Sequence, residues 1–187
     1  MDYKIQNSDI ALLRNAGVSE DDIRHCVKVA EKALEIARGT GANIDMELVG
    51  KGALFHDLGK AKTHEIEHGK IGAEMGKQFG LSKAITDIME KHIRGGLTEK
   101  EAQELRLPLK DYTLRTLEEK IVIYADRLVD IITDGIVTIS SETEAETRFE
   151  EILRDVPKYG KNEITLKRYI GYHREIQGLM RKRAPSP

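Results

Sequence analysis

Three of the six histidines of this 187-residue chain fall within the stretch 52-GALFHDLGKAKTHEIEHGK-70. His56 and Asp57 end an apolar run, and His64 and His68 follow within a dozen residues. Imidazole nitrogens and carboxylate oxygens together form the ligand set that suits Zn, Fe, Mn, Ni or Co. The residue types and their density therefore raise the hypothesis of a metal site.

Two further candidates lie on predicted helices. In 119-EKIVIYADRLVDII-132, Asp126 shares a helical face with Val122 and Val129, so its carboxylate is aimed at the apolar interior. A buried, unpaired carboxylate is so costly that it must take up a proton or meet a cation. His92 also shares a helical face with apolar side chains. Both residues are therefore candidates for the same buried pocket.

Each residue also has a plainer interpretation. Taken alone, His25 or His92 is more often a hydrogen-bonded core residue than a ligand, and an interior Asp often pairs with an Arg. His64 fits a polar loop, and His173 is expected at the surface. The coincidence of these residues with the His-Asp pair is what favours a metal site.

The elements that would carry these residues are helices, because apolar residues recur at three- and four-residue steps and no segment shows sustained strand alternation. Ser19 and Asp45 are predicted N-caps. Adjacent helical side chains diverge by about 100°, so His56 and Asp57 can meet one centre only if the helix breaks, and Gly59 is predicted to supply the break. The predicted helices are 8–16, 20–38, 46–56, 68–79, 82–93, 114–133, 142–153 and 164–180.

Composition limits the classes of protein that fit. Thirty Lys and Arg residues against thirty-two Asp and Glu give a net charge of -2, so no overall field favours nucleic acid or an anionic membrane. No apolar run approaches bilayer length, no secretory signal is apparent, and Cys26 alone cannot form an internal disulfide. We expect one cytoplasmic domain over 1–187, with a core at about 20–135, C-terminal helices at about 140–180 and a frayed tail over 181–187.

The order of the candidate residues resembles the HD-domain metal-dependent phosphohydrolase superfamily, in the branch with an additional histidine pair. The chain is similar to small archaeal HD proteins and to bacterial HD-type diadenosine tetraphosphate hydrolases. The dipeptide HD alone is a weak signal, whereas the ordered set over about residues 20–135 is specific. The matching residues are His25, His56-Asp57 in LFHDLGK, His68 in HGKIGAEM, His92 in MEKHIRGG and Asp126 in EKIVIYADRL.

The resemblance implies an all-α, HD-type helical bundle of about seven to nine helices that binds two divalent metal ions. Fe, Mn, Ni, Co and Zn all suit His and carboxylate ligands. Asp57 is expected to bridge the two ions. The implied ligands are His25, His56, Asp57 and Asp126 for the first ion, and Asp57, His68 and His92 for the second.

One ligand position stays open between two histidines. His64 and His68 are four residues apart and can share a helical face. Small residues at Gly72 and Gly76 would let a helix that begins near His68 pack closely on a neighbour. This pattern favours His68 without excluding His64.

The resemblance also implies hydrolysis of a phosphate ester or phosphoanhydride by a metal-activated hydroxide. Cationic groups should flank the phosphate as charge develops, so the candidate catalytic residues are Asp57, Lys60 and Arg94. Lys60 and Arg94 could equally be exposed charges. Arg127 is expected to point elsewhere on its helix and form a salt bridge. Asp130 could orient a ligand histidine or pair with an Arg.

The substrate is the part that the sequence specifies least. Residues 95–114 lie between the helices that carry His92 and Asp126, and they are expected to form a pocket wall or lid. Tyr112 or Tyr124 could stack on a base or simply pack inside the protein. We expect a small phosphorylated substrate such as a nucleotide or dinucleoside polyphosphate, with neither a membrane nor duplex nucleic acid as partner. The alternative is a metal-containing, nucleotide-binding or regulatory protein without turnover.

Overall fold

The computed structural model describes residues 2–183, and over that range it contains eleven α-helices, two short 3-10 helices and no strand. Seven α-helices have nine or more residues and four are shorter, so the all-α prediction is confirmed. No helix in this range is both long and apolar enough to cross a bilayer. The α-helices are α1 (Asn7–Asn15), α2 (Glu20–Thr40), α3 (Met46–Phe55), α4 (His68–Gln78), α5 (Lys83–Lys91), α6 (Glu99–Glu104), α7 (Leu117–Thr133), α8 (Glu142–Thr147), α9 (Phe149–Asp155), α10 (Pro157–Gly160) and α11 (Glu163–Arg183).

Local side-chain caps start the helices that matter for the site. Ser19 and Asp45 accept hydrogen bonds from backbone N–H groups in the first turns of α2 and α3, as predicted. Ser82 caps α5 in the same way. Thr116 and Glu119 form a reciprocal capping box at the start of α7. The start of each of these helices is therefore encoded within a few residues.

Several predicted boundaries differ from the structure. The predicted helix 142–153 is two helices, because the backbone leaves helical geometry at Arg148 (φ -92°, ψ 6°). The short helices α6 and α10 were not predicted, although Thr98 and Glu101 form a capping box at α6. Helix α11 continues to Arg183, into the tail that was expected to fray. The rest of that tail, 184–187, lies outside the described residues.

Helices α2, α3 and α7 pack on one another and form the centre of the core. Helix α5 packs on α3, and α4 packs on α5. Helix α11 lies against α2 and α7, so the C-terminal segment covers part of the same core. His25 on α2, His56 at the end of α3 and Asp126 on α7 consequently approach one point from three directions.

Two glycines allow the 3-10 helix Leu58–Ala61 to contact α4 at backbone distance. A Cβ added at Gly59 would lie 1.9 Å from the carbonyl oxygen of His68, and one at Gly72 would lie 2.8 Å from the amide nitrogen of Gly59. The chain already leaves helical geometry at Asp57 (φ -100°, ψ 13°). Gly59 therefore acts through this close approach, and the prediction that it breaks the helix is wrong.

The Gly59 contact predicts a specific loss of stability. We expect Gly59→Ala to lower the free energy of unfolding by about 2–3 kcal/mol, because the new methyl meets backbone atoms that cannot turn away. Urea denaturation followed by circular dichroism measures the effect. Gly171→Ala is the matched control: a Cβ there meets nothing within 4 Å, and Ala should stabilise α11 by about 0.5–1 kcal/mol. Equal midpoints for Gly59→Ala and the wild type would contradict the prediction.

Candidate metal centre

The carboxylate of Asp57 lies at the middle of a cluster of four histidines. Its Oδ2 atom is 3.2 Å from Nε2 of His56 and 3.8 Å from Nε2 of His25. Its Oδ1 atom is 3.1 Å from Nε2 of His68 and 3.4 Å from Nε2 of His92. Each oxygen of one buried carboxylate thus faces its own pair of imidazoles. Three residue groups in the described range could hold a metal ion, and two of them include Asp57: His25, His56 and Asp57, and Asp57, His68 and His92.

Asp126 completes the first of these groups from the opposite helix. Its Oδ1 atom lies 3.0 Å from Nε2 of His25 and 3.4 Å from Nε2 of His56. Asp130, one turn later on α7, has a carboxylate oxygen within 4.8 Å of ligand atoms of His25 and Asp126. The face of α7 toward the cluster is therefore acidic.

Backbone hydrogen bonds orient three of the imidazoles. Because a carbonyl oxygen can only accept, the Nδ1 atom must carry the proton in each case, and Nε2 is turned toward the cluster. Such an outer hydrogen bond is the usual support of a metal-ligating histidine. The three bonds, each of 2.7 Å, run from His56 to Ala53, from His68 to Glu65 and from His92 to Met89.

The Nε2 atoms that result need a cation. Nε2 of His68 lies 2.8 Å from Nε2 of His92, so two lone pairs face each other unless a proton or a metal ion is shared between them. Nε2 of His56 is buried and has no hydrogen-bond partner among residues 2–183. Nitrogen and carboxylate donors at this spacing fit a divalent transition metal. These are the observations that make the cluster a candidate metal centre.

The charges of the cluster stabilise one another. Burial alone would raise the pKa of Asp57, but the adjacent His56 holds it well below its usual range. The pKa of Asp126 is also lowered against the effect of burial, by His56 and His25. Burial lowers the pKa of His56 and His25, but the two carboxylates outweigh it and raise both. The site therefore favours ionised carboxylates and positive charge beside them.

The structure places His68 in the cluster and leaves His64 outside it. The side chain of His64 is 67% exposed and its nearest carboxylate, that of Asp22, is 3.9 Å away. His173, which was expected at the surface, is instead half-buried. Its Nδ1 atom is 2.8 Å from the hydroxyl of Tyr124, and its ring stacks on Phe149.

A cavity of about 250 Å³ opens beside the cluster and has a cationic border. Lys60 belongs to this border, and its Nζ atom lies 2.5 Å from Oδ2 of Asp57. Arg94 also lines the cavity, from a left-handed backbone conformation (φ 51°). The cationic lining residues are Lys60, Arg94, Arg127 and Lys161.

The walls of the cavity differ from the expectation in two ways. Arg127 was expected to point elsewhere, but its long side chain reaches the cavity, where it lies 3.2 Å from Asp130 and 3.1 Å from the hydroxyl of Tyr169. The described residues that line the cavity include none from 95–114. The C-terminal segment supplies Lys161 and Tyr169 instead. No chemical pattern in the sequence marks these two residues, which reach the cavity only through long-range packing.

Neither tyrosine proposed for base stacking is free to do so. Tyr124 is completely buried, and its ring packs against Phe149 and His173. Tyr112 is 2% exposed and donates a hydrogen bond to the carbonyl of Pro108. Both residues belong to the protein interior.

Comparison with known proteins identifies the family. The HD domain family model matches residues 22–129. The chain belongs to the HD domain family. This HD domain is 39% identical, over 92% of its length and 96% of the relative's, to a protein of Methanocaldococcus jannaschii described as uncharacterized. The predicted membership of the HD superfamily and similarity to small archaeal HD proteins are thereby confirmed.

Two further matches are more limited. The HD domain is 40% identical over 122 residues to a tRNA (cytidine(56)-2'-O)-methyltransferase of Picrophilus torridus, which covers 65% of this chain but only 35% of that protein. The fold of this chain resembles that of the HD domain of the phosphodiesterase PgpH of L. monocytogenes, solved in complex with cyclic-di-AMP. The TM-score is 0.57 at 18% sequence identity, and the match covers 96% of this chain and 97% of that one. None of these matches shows the similarity to diadenosine tetraphosphate hydrolases, which stays a prediction.

The raised pKa values of His25 and His56 predict that metal binding depends on pH. These imidazoles hold protons to higher pH than an ordinary histidine, so a metal ion must displace them. We expect the affinity for Mn²⁺ to fall as pH falls, by up to about tenfold per pH unit for each proton displaced. Calorimetry in buffers of different ionisation enthalpy measures the released protons. His64→Gln should keep the wild-type slope, and a pH-independent affinity between about pH 6 and 8 would contradict the prediction.

Proposed function

We propose that this HD domain is a metal-dependent phosphohydrolase that cleaves a phosphate ester or phosphoanhydride of a small substrate, and that this substrate is a nucleotide. The observation that carries the proposal is the shared Asp57 carboxylate, which has one oxygen toward His25 and His56 and the other toward His68 and His92. A cationic cavity adjoins this carboxylate. A two-metal centre beside an anion-binding cavity suits phosphate hydrolysis.

The cluster residues divide into two ligand sets in this proposal. His25, His56 and Asp126 would hold one ion, His68 and His92 the other, and Asp57 both. When bound, divalent ions lower the pKa of a water molecule and neutralise phosphate oxygens. The native ions are expected among Fe, Mn, Ni, Co and Zn.

The remaining side chains act on the substrate. Lys60 lies between Asp57, at 2.5 Å, and Asp22, at 3.8 Å, and it borders the cavity. Its ammonium group would neutralise a phosphate oxygen next to the cluster, where negative charge develops during hydrolysis. Arg94 also lines the cavity and would contact the phosphate part of the substrate. No side chain need act as a covalent nucleophile.

Release of phosphate from a panel of nucleotides and phosphomonoesters, with Mn²⁺ added, tests the proposal. We expect turnover of at least one compound, and a loss of roughly 100-fold or more in Asp57→Asn, because both ligand sets lose the shared carboxylate charge. Circular dichroism establishes that the variant folds. His64→Gln should retain wild-type activity. Tight nucleotide binding without phosphate release would instead favour the binding or regulatory alternative.

The metal content of two histidine variants tests the ligand assignment independently of turnover. We expect the wild-type protein, loaded with Mn²⁺ and desalted, to retain about two ions per chain. His68→Gln should retain about one, because His68 faces Oδ1 of Asp57, and His64→Gln about two. Elemental mass spectrometry gives the ratios. Equal metal content in the two variants would refute the assignment of His68.

A further inference from the structure

Two cations of the cavity border lack carboxylate partners. Within residues 2–183, Arg94 and Lys161 form no ion pair, whereas Lys60 is paired with Asp57 and Arg127 with Asp130. Burial lowers the pKa of Lys161, and the nearby charges of Arg127 and Arg94 lower it further. The outer part of the cavity therefore concentrates positive charge.

The backbone at both unpaired cations is in an uncommon conformation. Arg94 (φ 51°) and Lys161 (φ 62°) are two of the three non-glycine residues in the described range with positive φ. A positive φ costs a non-glycine residue on the order of 1–3 kcal/mol. Strain of this kind concentrates at ligand-binding sites, where surrounding contacts hold it in place. Both strained residues lie at the same cavity.

Contacts from α11 hold the Arg94 loop in place. Arg168 donates hydrogen bonds to the carbonyl oxygens of Arg94 and Gly96, and it is paired with Glu101 at 2.6 Å. The hydroxyl of Tyr172 donates to the carbonyl of Gly95 at 2.9 Å. The position of Arg94 is thus set by the C-terminal helix.

Arg127 forms the inner side of this cationic region. Its guanidinium lies 4.8 Å from the centre of the Tyr169 ring and its side chain is 9% exposed. Its Nε atom is buried and has no hydrogen-bond partner among the residues that the structure describes. A guanidinium held in this way is suited to planar recognition of phosphate oxygens.

We propose that Arg94, Arg127 and Lys161 form a subsite for a second phosphoryl group, next to the one held at the metal centre. This inference rests on the proposed function and narrows it to substrates with two adjacent phosphoryl groups. In hydrolysis, the oxygen of water bonds to the phosphorus at the cluster and the bond from that phosphorus to the bridging oxygen breaks. The second phosphate leaves with the bridging oxygen, and the protons of water pass to the released phosphates and solvent.

The size of the cavity supports recognition through phosphate. Its volume of about 250 Å³ is below the roughly 300–1,000 Å³ that encloses a drug-sized ligand. The cavity can accommodate the phosphoryl groups, and the organic part of the substrate would extend outside. ADP, GDP and CDP are accordingly expected to be similar substrates.

Lys161→Asn tests the subsite, because asparagine removes the charge and adopts positive φ more readily than most residues. We expect KM for ADP to rise about tenfold, the effect of losing one hydrogen bond to a charged group, and the inhibition constant of AMP, which has a single phosphoryl group, to change less than about twofold. Lys158→Asn is the matched control, since Lys158 is paired with Asp134 at 2.5 Å and does not line the cavity. Equal changes in the constants for ADP and AMP, or no change in either, would overturn the inference while the proposed function stands.

A binding measurement separates the two proposals. Calorimetry on Mn²⁺-loaded protein compares methylenediphosphonate, which cannot be hydrolysed at its bridging carbon, with methylphosphonate. We expect the diphosphonate to bind at least about tenfold more tightly, and Lys161→Asn but not Lys158→Asn to lose this preference. Tighter binding of the diphosphonate, together with no hydrolysis of any nucleotide, would support the subsite and refute the proposed function. No preference in the wild-type protein would refute the subsite.

Discussion

The buried carboxylate of Asp57 sets the requirements for its surroundings. A carboxylate removed from water is tolerated only where positive charge or hydrogen bonds replace hydration. Here four imidazoles and the ammonium of Lys60 surround it. His56 and Lys60 lie in the same segment as Asp57, but His25, His68 and His92 come from other elements, so the helices must pack correctly before the charge is stabilised. The same requirement explains why the cluster is suited to cations.

Three of the four imidazoles are held in place by the ends of helices. His56 and His92 follow the last residues of α3 and α5, and His68 is the first residue of α4. At these positions the Nδ1–H group can reach a carbonyl three residues earlier, and Nε2 is free to face the centre. The glycine contact between Gly59 and Gly72 brings the segment that carries Asp57 against the helix that carries His68. The same helix ends and the same backbone contact thus determine both how these segments pack and how the imidazoles are oriented.

Local features of the sequence predicted much of this structure. Cap residues such as Ser19 and Asp45 act within one helical turn, and apolar periodicity predicted that Asp126 faces inward, so these features need no knowledge of the fold. Residues 95–114 were assigned wrongly, because nearness along the chain to His92 and Asp126 does not make them neighbours of the cavity. Lys161 and Tyr169 were missed because only the packing of α11 and its preceding turn brings them there.

Arg127 shows a different limit of sequence reasoning. Adjacent helical positions diverge, which correctly describes the directions of the Cβ atoms. A long guanidinium side chain can nevertheless curve back, and here the Tyr169 ring guides it to the cavity. The length of the side chain and its contact with a distant aromatic ring therefore decide where the guanidinium lies, rather than the direction of the Cβ atom on the helix.

The family match ends at residue 129, whereas Lys161, Arg168 and Tyr172 belong to the region beyond it. All the proposed metal ligands lie within the matched region, whereas Lys161 of the proposed subsite and the side chains that hold the Arg94 loop lie beyond it. Replacement of the distal stretch during evolution would let an inherited metal centre acquire new preferences without being rebuilt. Relatives that share only residues 22–129 would then be a poor guide to the substrate of this chain.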